Sequence, residues 1–236
     1  MEKKENSEIG KKNAASEALK LVEKNMILGL GTGSTANWFI RLLAEKCEKT
    51  ELNIKCVCTS SITETFAKKL GFELLDLNDV ESLDLTVDGT DEFDKNKNLI
   101  KGGGGALLQE KIVASSSKKM IVISDDTKSS KILGAFPLPV EIIKFGYKNT
   151  IRLIQKKLRY LGFQQINFSL RLKETDKFVT DEKHFIVDLN LKKILDPIIL
   201  QQELLLIPGV VETGLFINLA DKIIVGSKGK DTLTLN

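Results

Sequence analysis

The chain is poor in the residues that carry most metal and redox chemistry, with three cysteines, one histidine and one tryptophan among 236 residues. Cys47, Cys56 and Cys58 do not form a metal-ligand set. Cys56 and Cys58 lie in a strand-like segment, Ile54–Thr59, where alternate side chains face opposite sides. They read as small buried hydrophobes in a reducing compartment. His184, between Lys183 and Phe185 at a strand start, has no recognisable sequence partner and reads as a surface or edge residue rather than a catalyst. Trp38 reads as core. No apolar run approaches the ~18 residues of a membrane span, and MEKKENSE does not open a signal peptide, so a cytosolic protein with no membrane partner is expected. The net charge of +3 is spread over interspersed Lys and acidic residues, which argues against a nucleic-acid surface. Internal repeats and low-complexity segments are also lacking.

What is present is an ordinary globular composition, 42% hydrophobic and 28% charged, enough for a proper core in a main domain with a smaller companion. Residues 8–24 carry apolar groups at helical spacing. A short buried strand (Met26–Leu30), a glycine turn and a helix from Ser34 follow, then a strand at Ile54–Cys58 and a helix at Glu64–Leu70. Further strands are expected at Phe72–Leu75, Leu83–Val87 and Lys119–Ser124, with a helix from Gly105 to about Ser116 between the last two. This alternation implies βαβ units and a mostly parallel sheet. After Lys131 the pattern changes. A Pro-containing linker leads into a strand, a helix (Asn149–Leu161), two β-like segments (Gln165–Leu172 and His184–Leu189) and a helix opened by Asp196-Pro197. That order suits a β-α-β-β-α-β ferredoxin-like unit. The β-prone VVETGLFINL and KIIVGS are candidates to return the chain to the first sheet. The expected architecture is α/β: a Rossmann-like domain of residues 1–132 plus 207–236, and a smaller ferredoxin-like α+β domain of residues 133–206.

Two stretches carry the chemistry. The first, Gly29-Leu30-Gly31-Thr32-Gly33-Ser34-Thr35-Ala36, is a Gly-rich strand-to-helix turn that presents backbone N–H groups and hydroxyls to an anion. It fits the dinucleotide fingerprint G-x-G-x-x-G/A literally, but the second strand ends in Thr59-Ser60-Ser61, without the acidic residue that would hold a ribose. A monophosphate cradle is therefore preferred to NAD. The second runs from Asp88 to Lys111, DGTDEFDKNKNLIKGGGGALLQEK. Four acids (Asp88, Asp91, Glu92, Asp94) follow a strand, where α/β sheets place their ligands. The acids could hold a divalent metal or merely cap and solvate, and the EF-hand spacing is absent. Four glycines imply close backbone approach or positive φ. Lys101 before them and Glu110 after them complete a set suited to shuttling protons on a sugar.

The order GLGTGSTA, DGTDEFD, KGGGGALLQEK closely resembles that of the type A ribose-5-phosphate isomerase family. The resemblance continues through ILGAFPLPVE, VTDEKHFIVDL and IPGVVETGLF, so it spans nearly the whole chain. It implies interconversion of ribose 5-phosphate and ribulose 5-phosphate with no metal and no cofactor, by a homo-oligomer, most often a dimer. By position, Glu110 matches the general base and Asp88, Asp91 and Lys101 the groups around the sugar oxygens. Thr32, Gly33, Ser34 and Thr35 match a substrate-binding loop, as do Gly89, Thr90, Gly102, Gly103 and Gly104. Lys128 matches a further substrate-contacting lysine, and Lys11 is a possible neighbour of the phosphate or a solvated side chain. Thr90 departs from the Ala of many relatives. Gly162–Leu172 departs from the usual Gly/Pro/Arg-containing stretch, with Arg171 as its best match. The alternative, a sugar-phosphate sensor, would need a DNA-binding module, and the ~25 residues before the first strand are too few for one.

Overall fold

The computed structural model describes residues 2–164, 166–229 and 232–236, with side chains from Glu5 onward. The chain divides into two compact units, one of residues 1–90, 109–129 and 218–236, the other of residues 91–108 and 130–217.

The first unit is built on a seven-stranded sheet in the spatial order Thr232–Leu235, Lys222–Gly226, Met120–Asp125, Leu85–Asp88, Ile27–Leu30, Lys55–Cys58, Glu73–Leu74. Every neighbouring pair is parallel except the first, which is antiparallel at the sheet edge. The central strands are buried along their length, as expected where helices cover both faces of a parallel sheet. Helix α1 (Glu2–Ala18) presses Ala14, Ala15 and Ala18 into the core beside Phe39, Ile40 and Leu43 of α2 (Ser34–Lys49). It comes very close to the sheet: a Cβ on Gly226 would lie 2.0 Å from the Gly10 carbonyl oxygen. The helix starts earlier than its apolar periodicity indicates, because EKKENSE carries no apolar stripe to betray it, and it tightens into a 3-10 turn at Leu19–Leu21. Helix α3 (Ser61–Lys69) is capped by the Ser60 hydroxyl, which accepts the Thr63 N–H at 3.1 Å. Helix α4 (Leu107–Ser115) follows the glycine run.

The second unit holds an antiparallel sheet in the order Val210–Thr213, Leu138–Ile142, Phe185–Asn190, Asn167–Leu170. With α5 (Tyr147–Tyr160) and α6 (Pro197–Leu205) between its strands, this is the ferredoxin-like β-α-β-β-α-β arrangement. Ile151, Ile154 and Leu158 of α5 and Leu200 and Leu204 of α6 pack on Val140, Val187 and Leu189. Asp196 caps α6 by accepting the Ile199 N–H at 2.9 Å, with Pro197 in the first turn. Here one expectation is corrected. Val210–Thr213 does not return to the large sheet but supplies the fourth strand of this one, and Leu215–Phe216 pairs with Leu99–Ile100. Of the two candidate segments, Lys222–Gly226 makes the return, because parallel pairing with Met120–Asp125 buries Ile223 and Ile224. Gln165, at the start of one expected β segment, lies outside the described residues.

Candidate active site

In the first unit, the phosphate-type turn and the first acid of the DGTD motif meet at the carboxyl ends of adjacent parallel strands. The Gly31 N–H donates to the Val87 carbonyl at 3.0 Å and the Thr32 N–H to Asp88 Oδ1 at 3.1 Å. The same oxygen accepts the Gly89 N–H at 2.7 Å. Asp88 is fully buried, so these donors replace the water its carboxylate has lost. Gly89 lies alongside Thr35: a Cβ there would be 3.6 Å from the threonine Cβ.

Thr32 does not turn its hydroxyl outward as an anion donor. Its Oγ1 lies 2.7 Å from Thr59 Oγ1, 2.8 Å from Ser60 Oγ and 3.0 Å from Thr63 Oγ1, and Thr63 in turn donates to the Gly31 carbonyl at 3.1 Å. The hydroxyls that end the second strand thus brace the turn from within. That leaves Gly33 and Ser34 as its exposed members, with Gly33 at φ 111° before the first turn of α2. Lys11, only 14% exposed, donates to Ser34 Oγ at 3.0 Å and pairs with Glu8 at 2.7 Å. It is therefore not a freely solvated lysine, and it sets a positive charge at the α2 N-terminus, where an anion is favoured. Glu110 stands in the first turn of α4, 4% exposed. Lys128 ends the 3-10 turn Asp126–Lys128 that follows the strand Met120–Asp125.

The second unit takes the rest of the stretch. Asp91 is tied to the strand Leu99–Ile100 through its N–H to the Ile100 carbonyl at 2.9 Å, and its Oδ2 accepts the Gly103 N–H at 2.7 Å. Lys101 is 2% exposed. Its N–H donates to the Gly214 carbonyl at 2.8 Å, and its Nζ lies 5.4 Å from the centre of the Phe216 ring. Gly102 and Gly105 take φ of 97° and 85°, conformations that a side chain would strain. Between them Gly103 and Gly104 are exposed.

The four acids separate into two kinds. Glu92 is buried and accepts the N–H groups of Gly134, Ala135 and Phe136. Asp94 accepts those of Asn96 and Asn98 and closes its own turn. Both carboxylates hold backbone, and among the described residues no cluster of three His, Cys, Asp or Glu side chains could hold a metal. Asp91 differs in reaching exposed backbone, since the Gly103 whose N–H it accepts is exposed. One pairing escapes a reading of sequence alone. Arg171, the best match in its departing segment, and Asp188, within VTDEKHFIVDL, form an ion pair that reaches the glycine run. His184 does have a partner: its Nδ1 lies 3.0 Å from Oε1 of buried Glu141, which also accepts the Thr180 hydroxyl at 2.9 Å. Burial holds the Glu141 carboxyl above the usual range, with the Thr180 and His184 hydrogen bonds pulling the other way.

A glycine turn meeting a buried carboxylate at the carboxyl ends of parallel strands in one unit, and a ferredoxin-like fold in the other, mark an α/β enzyme. Residues 55–230 match the family model described as ribose 5-phosphate isomerase A (phosphoriboisomerase A), and the chain belongs to that family. It is 49% identical over 214 residues to the ribose-5-phosphate isomerase A of Jannaschia sp. strain CCS1, a match that covers 91% of this chain and 82% of that one. That of Dinoroseobacter shibae is 49% identical over 213 residues, 90% of this chain and 82% of its own. Among solved structures, the ribose 5-phosphate isomerase of Plasmodium falciparum superposes with a TM-score of 0.88 at 36% identity, over 96% of this chain and 97% of that one. A D-ribose-5-phosphate isomerase in complex with phospho-erythronic acid gives a TM-score of 0.91 at 39% identity, over 98% of this chain and 99% of that one.

Proposed function

We propose that the protein interconverts D-ribose 5-phosphate and D-ribulose 5-phosphate through an enediolate, with Glu110 as the base. The observation that carries the reading, beyond family membership, is the burial of three ionisable side chains that the motifs hold in common: Asp88, Lys101 and Glu110 are 0%, 2% and 4% exposed. Withdrawing charged groups from water is costly and recurs where they do chemistry.

In this mechanism the turn Gly33–Thr35, exposed at Gly33 and Ser34, receives the phosphate, with backbone N–H groups and the α2 N-terminus opposing its charge. The Glu110 carboxylate takes the proton from C2 of the open-chain aldose and returns it to C1, while the O2 hydroxyl proton passes to O1. Lys101 stabilises the negative charge that develops on oxygen between the two steps. Asp88 and Asp91 serve ring opening and the hydroxyl proton transfer. Gly89, Thr90 and Gly102–Gly104 supply close-approaching backbone, and Lys128 adds a substrate contact. That a related enzyme is described in complex with phospho-erythronic acid, an open-chain sugar-acid phosphate, supports a linear substrate. No step calls for a metal or a nucleotide.

We further infer a cytoplasmic homo-oligomer, a dimer first. Large apolar side chains stand exposed on the second unit, among them Tyr160, Leu195 and Leu206, which supports a covered face. Among the described residues no helix is long and apolar enough to cross a membrane. The deciding assay follows ketopentose formation from ribose 5-phosphate with purified protein in EDTA. Absence of product at high enzyme concentration would remove the isomerase reading and restore a binding role.

A further inference from the structure

We propose that Arg171 is a positioning residue for this reaction: it fixes the Gly102–Gly103 peptide so that the peptide's N–H is aimed at Asp91. The inference rests on the isomerase reading above.

A run of four glycines has the greatest backbone freedom a chain can have, so a defined shape must be imposed from outside. Arg171 imposes it. Its Nη1 donates to the Gly102 carbonyl at 2.6 Å and to the Gly103 carbonyl at 3.2 Å. The other side of the guanidinium is taken by Asp188, with Nε on Oδ2 at 2.9 Å and Nη2 on Oδ1. The backbone beneath is fixed as well, since the Arg171 N–H donates to Ile186 and its carbonyl accepts from Phe178. The Phe178 ring lies 5.9 Å from the guanidinium carbon and packs over Gly105, where an added Cβ would be 2.4 Å from the ring.

The carbonyl and N–H of one trans peptide point in opposite directions. The Gly102 oxygen points at Arg171, and the N–H of the same peptide, on Gly103, points at Asp91 Oδ2 at 2.7 Å. A guanidinium and a carboxylate therefore hold a single peptide plane from its two edges. By the same rule, the carbonyl of Gly103 on Arg171 turns the Gly104 N–H to the face away from the guanidinium. Arg171 is 14% exposed and Asp188 balances its charge, so it is a poor phosphate ligand and a good clamp. A lysine could not replace it, because one ammonium cannot span a carboxylate and two carbonyls in a planar fork.

The test compares kcat and KM for ribose 5-phosphate in wild type, Arg171→Met, Arg171→Lys, Asp91→Asn and the Arg171→Met/Asp91→Asn double variant. Arg171→Met should lower kcat by roughly 10- to 100-fold with a smaller change in KM, as expected for a displaced catalytic geometry. Arg171→Lys should not restore it, whereas a further variant, Arg171→Ala, should show the same loss and be partly rescued by millimolar guanidinium ion. The double variant should be no slower than Asp91→Asn alone, because the clamp acts through that carboxylate. A kcat equal to wild type in Arg171→Met, or losses that simply multiply in the double variant, would overturn the proposal. A rise confined to KM would instead make Arg171 a phosphate ligand and overturn it too. If Arg171→Met fails to fold, Asp188→Asn, which loosens the same fork, is measured in its place. An inactive wild type is a different failure, that of the isomerase reading itself.

Discussion

The backbone N–H of Thr32 is hydrogen-bonded to Asp88 Oδ1 at 3.1 Å, joining the anion turn to the first acid of the DGTD motif across adjacent strands. There is no spare room at this junction. A Cβ on Gly31 would lie 2.1 Å from Asp88 Oδ1 and 2.6 Å from its Cα. Gly31→Ala should therefore push the carboxylate aside, lowering kcat/KM by roughly 100-fold, since misplacement of about 1 Å is enough for that loss. Overpacking adds a stability cost of about 1–3 kcal/mol. Steady-state kinetics on the folded fraction, alongside a melting curve, separates the two effects. Unchanged kinetics would take Asp88 out of the chemistry.

Glu110→Gln keeps the shape of the side chain and removes the base. Turnover should fall by about 100- to 10,000-fold, the usual range for a positioned general base, with the melting temperature little changed. In deuterium oxide, NMR should show wild type labelling the sugar carbon while the variant leaves it unlabelled. A variant that turns over normally would require a different base.

Glu141 links pH to stability. Burial raises its folded-state pKa above the ordinary carboxyl value. A carboxyl raised in this way stabilises the fold below its unfolded value and loses that contribution as pH rises through the folded one. Glu141→Gln can keep an oxygen for Thr180 and His184 without the buried charge. The two proteins should therefore melt alike below the ordinary carboxyl pKa, and the variant should gain on wild type as pH rises above it. Parallel melting curves across that range would place the cost of the buried charge elsewhere.

The ligand preference of the glycine turn is open to a thermal-shift experiment. Ribose 5-phosphate at about 100 times its Kd should stabilise the protein by about 2.7 kcal/mol, whereas NAD or NADP should not move the melting temperature. A shift with the dinucleotide alone would revive the literal G-x-G-x-x-A reading of Gly31, Gly33 and Ala36.

Gly105 combines a φ of 85° with a site only 2.4 Å from the Phe178 ring. Gly105→Ala should cost about 1–3 kcal/mol in stability from backbone strain. Phe178→Ala in the same chain should recover part of the loss, because it removes the steric share and leaves the torsional one. Chemical denaturation of wild type and the two variants measures both.

Much of this protein is determined by its sequence alone. Short apolar strands punctuated by GLGTG, DGTD and GGGG set the parallel sheet, since local periodicity and glycine placement act over a few residues and leave a local trace. Asp196-Pro197 announces α6 for the same reason, and the order of the motifs names the family. What only the tertiary structure decided depends on partners far apart in the chain. Val210–Thr213 has the same β character whichever sheet it joins, and its place beside Leu138–Ile142 comes from burial and pairing. Glu92 is one of four acids in a short stretch, yet it holds a loop, because the N–H groups of Gly134, Ala135 and Phe136 are brought to it by the fold from more than 40 residues away. Arg171 reaches Gly102 across 69 residues, and no spacing or period could have shown it. A hydrogen bond between distant residues is paid for by loop closure and packing, so it is written in three dimensions and nowhere in the local sequence.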